Sequence, residues 1–218
     1  MSAYPTDREA IEQILDVGKK LFQRGFVAAN DGNLSVRVGE NAVWVTPSGV
    51  SKSSMTEQML VKLSLDGALL CGTAKPSSET GMHLRIYRED PLVRAVVHAH
   101  PPAATAFAAA GLALERPVLQ EAVVQLGTVP LAPFALPGSP EVAESVAPYV
   151  RGGSRALLLE YHGAVAWGDT MQQAYFRMEC LEQWAKVELN LRALGSSRTI
   201  PPEQVARLEA LRPSWGVR

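Results

Sequence analysis

Only two cysteines, four histidines and an aromatic share of 6% occur among these 218 residues. Cys71 and Cys180 lie far apart and fit no C-x-x-C spacing, which argues against a cysteine-rich metal cluster and favours reduced thiols over a disulfide framework. Charge of neither sign dominates: 21 Lys+Arg against 22 Asp+Glu leave a net charge of −1, so no broad basic field is available for nucleic acid or a membrane surface. An anionic small molecule must therefore be met by a local site. No apolar run approaches the ~18 residues needed to span a bilayer, and the start of the chain, Met1 to Asp7, lacks a basic-then-apolar signal pattern. The expectation is a cytoplasmic protein with no nucleic-acid or membrane partner. With 47% hydrophobic residues and neither linker nor repeat, the chain suits one globular domain over residues 1–218.

Local signals give the order of elements. Thr6-Asp7-Arg8-Glu9 is a capping-box pattern ahead of apolar residues at Ile11, Ile14, Leu15, Leu21 and Phe22, with Gly25 as the stop. Asn33 to Val38 and Ala42 to Thr46 read as two short strands, Met59 to Leu65 as a third, and Ala68 to Cys71 as its partner across Asp66-Gly67. Ser77 to Arg88 reads as a helix capped by Ser77 or Ser78, and Leu92 to His98 as a buried strand stopped by Pro101. A small-residue helix over 103–110 follows, then a strand over 128–134 and a helix opening at Ser139-Pro140-Glu141. Arg155 to Glu160 and Ala164 to Trp167 form a hairpin turned at Tyr161-His162-Gly163. Asp169 is expected to cap a long helix burying Met171, Ala174, Tyr175, Met178, Leu181 and Trp184. This alternation is α/β.

The histidines are few enough to weigh singly. His98 and His100 stand at i and i+2, so on an extended chain both rings project to the same side, as two imidazoles sharing one ion require. The alternative is two polar residues at a strand end, but burial there is costly without partners. His162 sits at a tight turn beside Gly163, as a third ligand or an exposed turn histidine. Together the three match the neutral set of a catalytic zinc with one position open. His83, inside a helix, reads as a surface or supporting residue.

Ser77-Ser78-Glu79 stands where a helix begins, and such an end with two hydroxyls can seat a phosphate. It can equally be an ordinary cap with Glu79 in the first turn. Gly32-Asn33 and Ser48-Gly49 raise the same question.

The segments Gly32-Asn33-Leu34-Ser35-Val36-Arg37, Thr46-Pro47-Ser48-Gly49, Lys75-Pro76-Ser77-Ser78-Glu79, Val97-His98-Ala99-His100-Pro101 and His162-Gly163, in that order, resemble the class II aldolase/adducin family, in its fuculose-phosphate aldolase-like branch. The resemblance runs over nearly the whole chain. It implies a mixed, mainly antiparallel sheet flanked by helices. It implies one divalent ion per subunit, with Zn2+ first and Mn2+ or Co2+ as alternatives, on His98, His100 and His162 with Glu79 near or on it as the catalytic acid/base. Gly32, Asn33, Ser48, Gly49, Ser77 and Ser78 would bind the phosphate of a sugar substrate, in a homotetramer with active sites at subunit boundaries. The implied reaction is cleavage of a ketose 1-phosphate to dihydroxyacetone phosphate and an aldehyde through a metal-stabilised enediolate. A sugar-phosphate dehydratase, a 4-epimerase, a 3-oxo-acid-phosphate decarboxylase and a non-catalytic adducin-like module are the alternatives. The chain departs from the aldolases at their two catalytic tyrosines, where it reads Leu119-Gln120-Glu121 and Ser214-Trp215-Gly216. Glu121 is a candidate replacement acid.

Overall fold

The computed structural model describes residues 4–217. Helix α1 (Asp7–Gln23) opens on the expected capping box. The Thr6 hydroxyl accepts the Glu9 N–H at 3.3 Å, and the Glu9 carboxylate accepts the Thr6 N–H at 2.7 Å. Eight strands then build one sheet: β1 (Asn33–Gly39), β2 (Ala42–Val45), β3 (Val61–Leu63), β4 (Leu69–Cys71), β5 (Ala95–Ala99), β6 (Leu131–Ala132), β7 (Ala156–Leu159) and β8 (Gly163–Gly168). Their spatial order is β4-β3-β2-β1-β5-β8-β7-β6, and every pairing is antiparallel except β6 with β7. The expected mixed, mainly antiparallel sheet is thus present.

The helices are α2 (Thr80–Glu89), α3 (Pro102–Ala109), α4 (Gln120–Gln125), α5 (Pro140–Arg151), α6 (Met171–Ala193) and α7 (Pro202–Glu209). Alternation along the strands divides the core in two. Leu34, Val36, Val97 and Leu158 point to the side covered by α1, α3 and α6, where Ile14, Phe107, Met178 and Trp184 meet them. Val45, Val96, Leu157 and Val165 point to the other side, against Met82, Ile86 and Tyr87 of α2 and Val142 and Val146 of α5. The long helix α6 buries all six residues expected of it.

Several boundaries differ from the sequence reading. The strand expected from Leu92 begins at Ala95, because an Asp90-Pro91 turn holds Leu92 and Val93 through the Asp90 side chain and carbonyl. The strand expected over 128–134 shrinks to Leu131–Ala132 between Pro130 and Pro133, which lack the N–H a ladder needs. Glu57–Met59 is a 3-10 turn, so β3 starts at Val61. Thr170, not Asp169, caps α6, its hydroxyl accepting the Gln173 N–H at 3.1 Å. Helix α2 begins at Thr80 rather than at the serines: Ser77 N–H is drawn to Thr46 O at 3.1 Å, and Glu79 itself occupies the cap position. Helices α4 and α7 were not foreseen. Both cysteines are free. Among the described residues no helix is long and apolar enough to cross a membrane.

Leu158 lies fully buried on β7, one strand in from the edge of the sheet. Leu158→Ala is expected to destabilise the protein by about 2–5 kcal/mol, the range for a leucine truncation that leaves a cavity. Urea denaturation followed by circular dichroism measures it, and a loss under ~1 kcal/mol would mean that the surrounding core collapses freely onto the cavity.

Candidate metal centre and active site

Strand register assembles the site. Asn33 pairs with His98 and Ser35 with Val96 across β1 and β5, while the intervening Leu34 and Val97 pack on the α6 side. Asn33, Ser35 and His98 therefore emerge on the α2 side, facing Glu79, His83 and Tyr87, which recur at i, i+4 and i+8 on that helix and its cap.

Each histidine is fixed by a different device. His98 is fully buried within β5, and its Nδ1 donates to Ala164 O on β8 at 2.9 Å. His100 follows the strand: its backbone N–H bonds Phe26 O at 2.8 Å, and its Nδ1 lies 3.4 Å from Asp31 Oδ2. His162 sits in the β7–β8 turn, where Tyr161 takes φ +56 and His162 N–H bonds Leu159 O at 2.9 Å. Glycine at 163 is required there, because a Cβ would lie 2.5 Å from His100 Cδ2 and 2.7 Å from Ala99 O. The rings form a nearly equilateral triangle with centroid separations of 5.0, 4.8 and 4.9 Å. Their candidate ligand atoms all lie within 4.8 Å of one another.

Glu79 closes the triangle. Its Oε2 is 3.2 Å from His98 Nε2 and accepts the Asn33 amide N–H at 2.8 Å; its Oε1 is 3.4 Å from His162 Nε2. That Oε1 is buried and has no hydrogen-bond donor. With the Nδ1 hydrogens of His98 and His100 directed to Ala164 O and Asp31, their Nε2 lone pairs face each other at 3.2 Å. Converging lone pairs beside an orphaned carboxylate oxygen suit a cation, and three imidazoles with a carboxylate are a suitable donor set for a divalent one.

Electrostatics favour the same protonation states. Burial lowers the His100 pKa to about 4, helped by His98 and His162 and opposed by Asp31 and Glu79. His162 is lowered by burial and by His98, again against Glu79 and Asp31. Burial acts to raise the Glu79 pKa, but His98, His162 and the Asn33 hydrogen bond together outweigh it and hold the carboxyl well below its usual range. At neutral pH the site holds neutral His100 and His162 beside an ionised carboxylate.

The expected anion loops lie beside this cluster. Pro47 and Pro76 form a β-bridge, and Ser48 N–H bonds Lys75 O at 2.9 Å, so the 46–49 and 75–79 segments are one unit. Ser48, Gly49 and Ser78 are exposed there, while the Ser77 Oγ accepts the Glu79 N–H at 3.3 Å. Gly32, at φ +72, passes so close to β5 that a Cβ would meet His98 O at 2.8 Å. The Asn33 side chain is committed to Glu79 and His83. Glu121 is not brought to Glu79: it is exposed on α4 and lines a cavity of about 570 Å³ with Arg24, Phe26, Cys180 and Glu182. Trp215 lies half-exposed in a C-terminal turn tied to α4 through Arg212.

Sequence reasoning passed over two supports, Asp31 and Lys52, and left His83 between a surface and a supporting role, of which the structure shows the second. His83 is buried, not at the surface, and bonds Asn33 and Ser35. Asp31 orients His100. Lys52, buried to 1% exposure with its pKa lowered to about 8 by burial and partly restored by Asp31, joins Asn30 O at 3.1 Å to Val50 O at 2.8 Å and so ties two of the loops together. Spacing could have decided the role of His83: 79, 83 and 87 share a helix face.

Residues 12–189 match the model of the family described as Class II Aldolase and Adducin N-terminal domain, whose class II aldolases are metal-dependent. The chain is 36% identical over 180 residues to the 3-oxo-tetronate 4-phosphate decarboxylase of Escherichia coli K12, covering 81% of this chain and 84% of that one. It is 32% identical over 179 residues to the L-fuculose phosphate aldolase of Methanococcus maripaludis, covering 81% and 94%. The crystal structure of YgbL from Klebsiella pneumoniae superposes with a TM-score of 0.86 at 29% identity, covering 94% of this chain and 99% of that one.

His100→Ala is expected to abolish retention of a divalent ion while leaving the circular dichroism spectrum native; wild-type metal content after dialysis would remove His100 from the site. The metal-free protein is expected to lose stability on acidification in two stages. His100 and His162 charge more readily unfolded, so the stability tied to their neutral forms is present above about pH 6.5 and lost as pH falls towards about 4. Glu79 adds a loss below its unfolded pKa of 4.5. Urea midpoints at pH 7, 5.5 and 4 test this, and a flat profile between 7 and 5.5 would contradict it.

Proposed function

This chain is a member of the class II aldolase and adducin family, and we propose that it is a divalent-metal-dependent decarboxylase of a four-carbon 3-oxo sugar acid phosphate of the 3-oxo-tetronate 4-phosphate kind. The observation that carries this reading is a proton-handling carboxylate at three imidazoles with no phenol hydrogen-bonded to either. Tyr87, Tyr149 and Tyr175 direct their hydroxyls to Ser35, Leu131 O and Glu179, Tyr4 stacks under Arg94, and Tyr161 is 68% exposed. A retro-aldol cleavage needs a group to take the proton from the hydroxyl that becomes the aldehyde. Decarboxylation begins from a carboxylate already ionised and needs none.

Histidines 98, 100 and 162 with Glu79 would hold the ion; zinc, manganese and cobalt all suit this set. Once bound, the ion supplies Lewis acidity to the substrate's oxygens. Ser48, Gly49, Ser77 and Ser78, with Gly32 and the Asn33 backbone, receive the phosphate at the exposed rim beside Glu79. The bond from carbon 1 to carbon 2 breaks, carbon dioxide leaves, and the electron pair remains on carbon 2, conjugated with the carbon 3 carbonyl. Glu79 delivers a proton drawn from solvent to carbon 2 through Oε1, giving dihydroxyacetone phosphate. The Asn33 amide holds the other oxygen.

An aldolase is the second reading, favoured by the Methanococcus relative, and it runs the same proton step at Glu79. Metal-loaded protein supplied with 3-oxo-tetronate 4-phosphate should release carbon dioxide and dihydroxyacetone phosphate in equal amounts. Glu79→Gln should lower kcat by about 10²–10⁴-fold, the usual contribution of a positioned acid/base. No carbon dioxide from the loaded enzyme, with an aldehyde released from a ketose 1-phosphate, would replace this reading with the aldolase. Loss of water or an unchanged product mass would point to a dehydratase or an epimerase.

A further inference from the structure

Behind Glu79 a line of polar side chains runs into the core. Tyr87 Oη and Ser35 Oγ are 2.7 Å apart, Ser35 Oγ and His83 Nδ1 2.7 Å, His83 Nε2 and Asn33 Oδ1 2.6 Å, and Asn33 Nδ2 and Glu79 Oε2 2.8 Å. Ser35 is fully buried, and His83 and Tyr87 are almost so. Five polar groups in a row buried between β1 and α2 are costly unless every hydrogen has an acceptor.

The hydrogens can be assigned from one end. An ionised carboxylate only accepts, so the Asn33 nitrogen must face Glu79 and its oxygen must face His83. His83 Nε2 then carries the hydrogen, which leaves Nδ1 as an acceptor. Ser35 donates to that Nδ1, and the serine oxygen accepts from Tyr87. The opposite polarity would turn the Asn33 oxygen towards the carboxylate at 2.8 Å, acceptor against acceptor.

We propose that His83, backed by Ser35 and Tyr87, is a positioning residue whose Nε2–H fixes the Asn33 amide on Glu79 Oε2 and so reserves Oε1 as the oxygen that carries the proton. Oε1 is the carboxylate oxygen without a donor, as that division of labour requires. Burial, aided by His98 and opposed by Glu79, holds the His83 pKa down at about 3, so the ring stays neutral and the direction of the line persists at physiological pH. Because the geometry acts on proton transfer, it serves a decarboxylase or an aldolase alike; it rests on the reading of Glu79 as the acid/base.

Two measurements test it. The first is nitrogen NMR of the imidazoles in the metal-free wild-type protein. His83 should be the Nε2–H tautomer from pH 8 to 5; an Nδ1–H tautomer or an imidazolium at pH 7 would overturn the proposal. The second is exchange of the carbon-bound hydrogen of dihydroxyacetone phosphate with deuterium oxide, which reads proton transfer without carbon–carbon cleavage. His83→Leu should slow exchange and kcat by about 10–100-fold with KM within about twofold, the range for residues that orient a metal-site ligand. His83→Gln, which keeps an N–H near the Nε2 position, should restore exchange to within about threefold of wild type. Equal rates in wild type and a natively folded His83→Leu overturn the proposal, and so does a His83→Gln no better than His83→Leu. If wild-type protein loaded with metal shows no exchange, the reading of Glu79 fails instead, and the tautomer alone decides whether the line runs as assigned.

Discussion

The pairing of Asn33 with His98 across β1 and β5 is the constraint from which the site follows. Side chains alternate along a strand, so a slip of one residue would turn Asn33, Ser35 and His98 to the α6 side and drive Leu34 and Val97 towards α2. Leu34 and Val97 are almost completely buried, and burying a side chain of this size is worth about 1.5–3 kcal/mol. The apolar residues thus hold the register that the polar residues use. Core and site are not separate designs: one alternation writes both faces of β1 and β5.

What that register creates is electrostatically unfavourable by itself. It puts three imidazole rings within 5.0 Å of one another, two of their lone pairs head to head, and a carboxylate among them. Desolvation alone would raise the Glu79 carboxyl, yet its partners win and it stays ionised. For His100 and His162 desolvation wins, and they stay neutral. Both outcomes leave electron pairs unshared, so the cluster is matched to a cation rather than to itself. Asp31, Asn33 and Ala164 each bind a group at the edge of the cluster and so hold the remaining electron pairs turned inward.

Much of this was legible in the chain. The i, i+2 spacing of His98 and His100 and the turn at His162-Gly163 gave the candidate ligands, because strand alternation and tight turns are local properties. The five short segments in order pointed to the fold, including its mainly antiparallel sheet. Element ends were less legible where a single hydrogen bond decides them. Ser77 looks like a cap in sequence, but Thr46 on a distant strand takes its N–H and delays α2 to Thr80. Asn33 read as a phosphate ligand because its neighbours are glycine-rich, and only the fold reveals that its amide is committed to Glu79 and His83. Glu121 is not brought to Glu79 within the subunit, and for the same reason the sequence could not show it: nothing local tells which cavity a helix turn faces.

The shared chemistry also locates where reactions in such a site can diverge. On the proposed reading, moving a proton to or from the carbon beside a ketone falls to Glu79 and the histidine triangle, whichever group leaves that carbon. A departing aldehyde carries away an oxygen that has just lost a proton, so an aldolase must add a proton acceptor outside the triangle. Departing carbon dioxide makes no such demand. Divergence must therefore be written in residues facing the leaving group, and the positions 119–121 and 214–216, where the resemblance puts the aldolases' tyrosines, carry no phenol in this chain. With Trp215 half-exposed and Glu121 turned to another cavity, the proposed proton machinery has no phenol hydrogen-bonded to it within one subunit. That asymmetry, rather than the ligand set, is what separates the decarboxylase reading from the aldolase one.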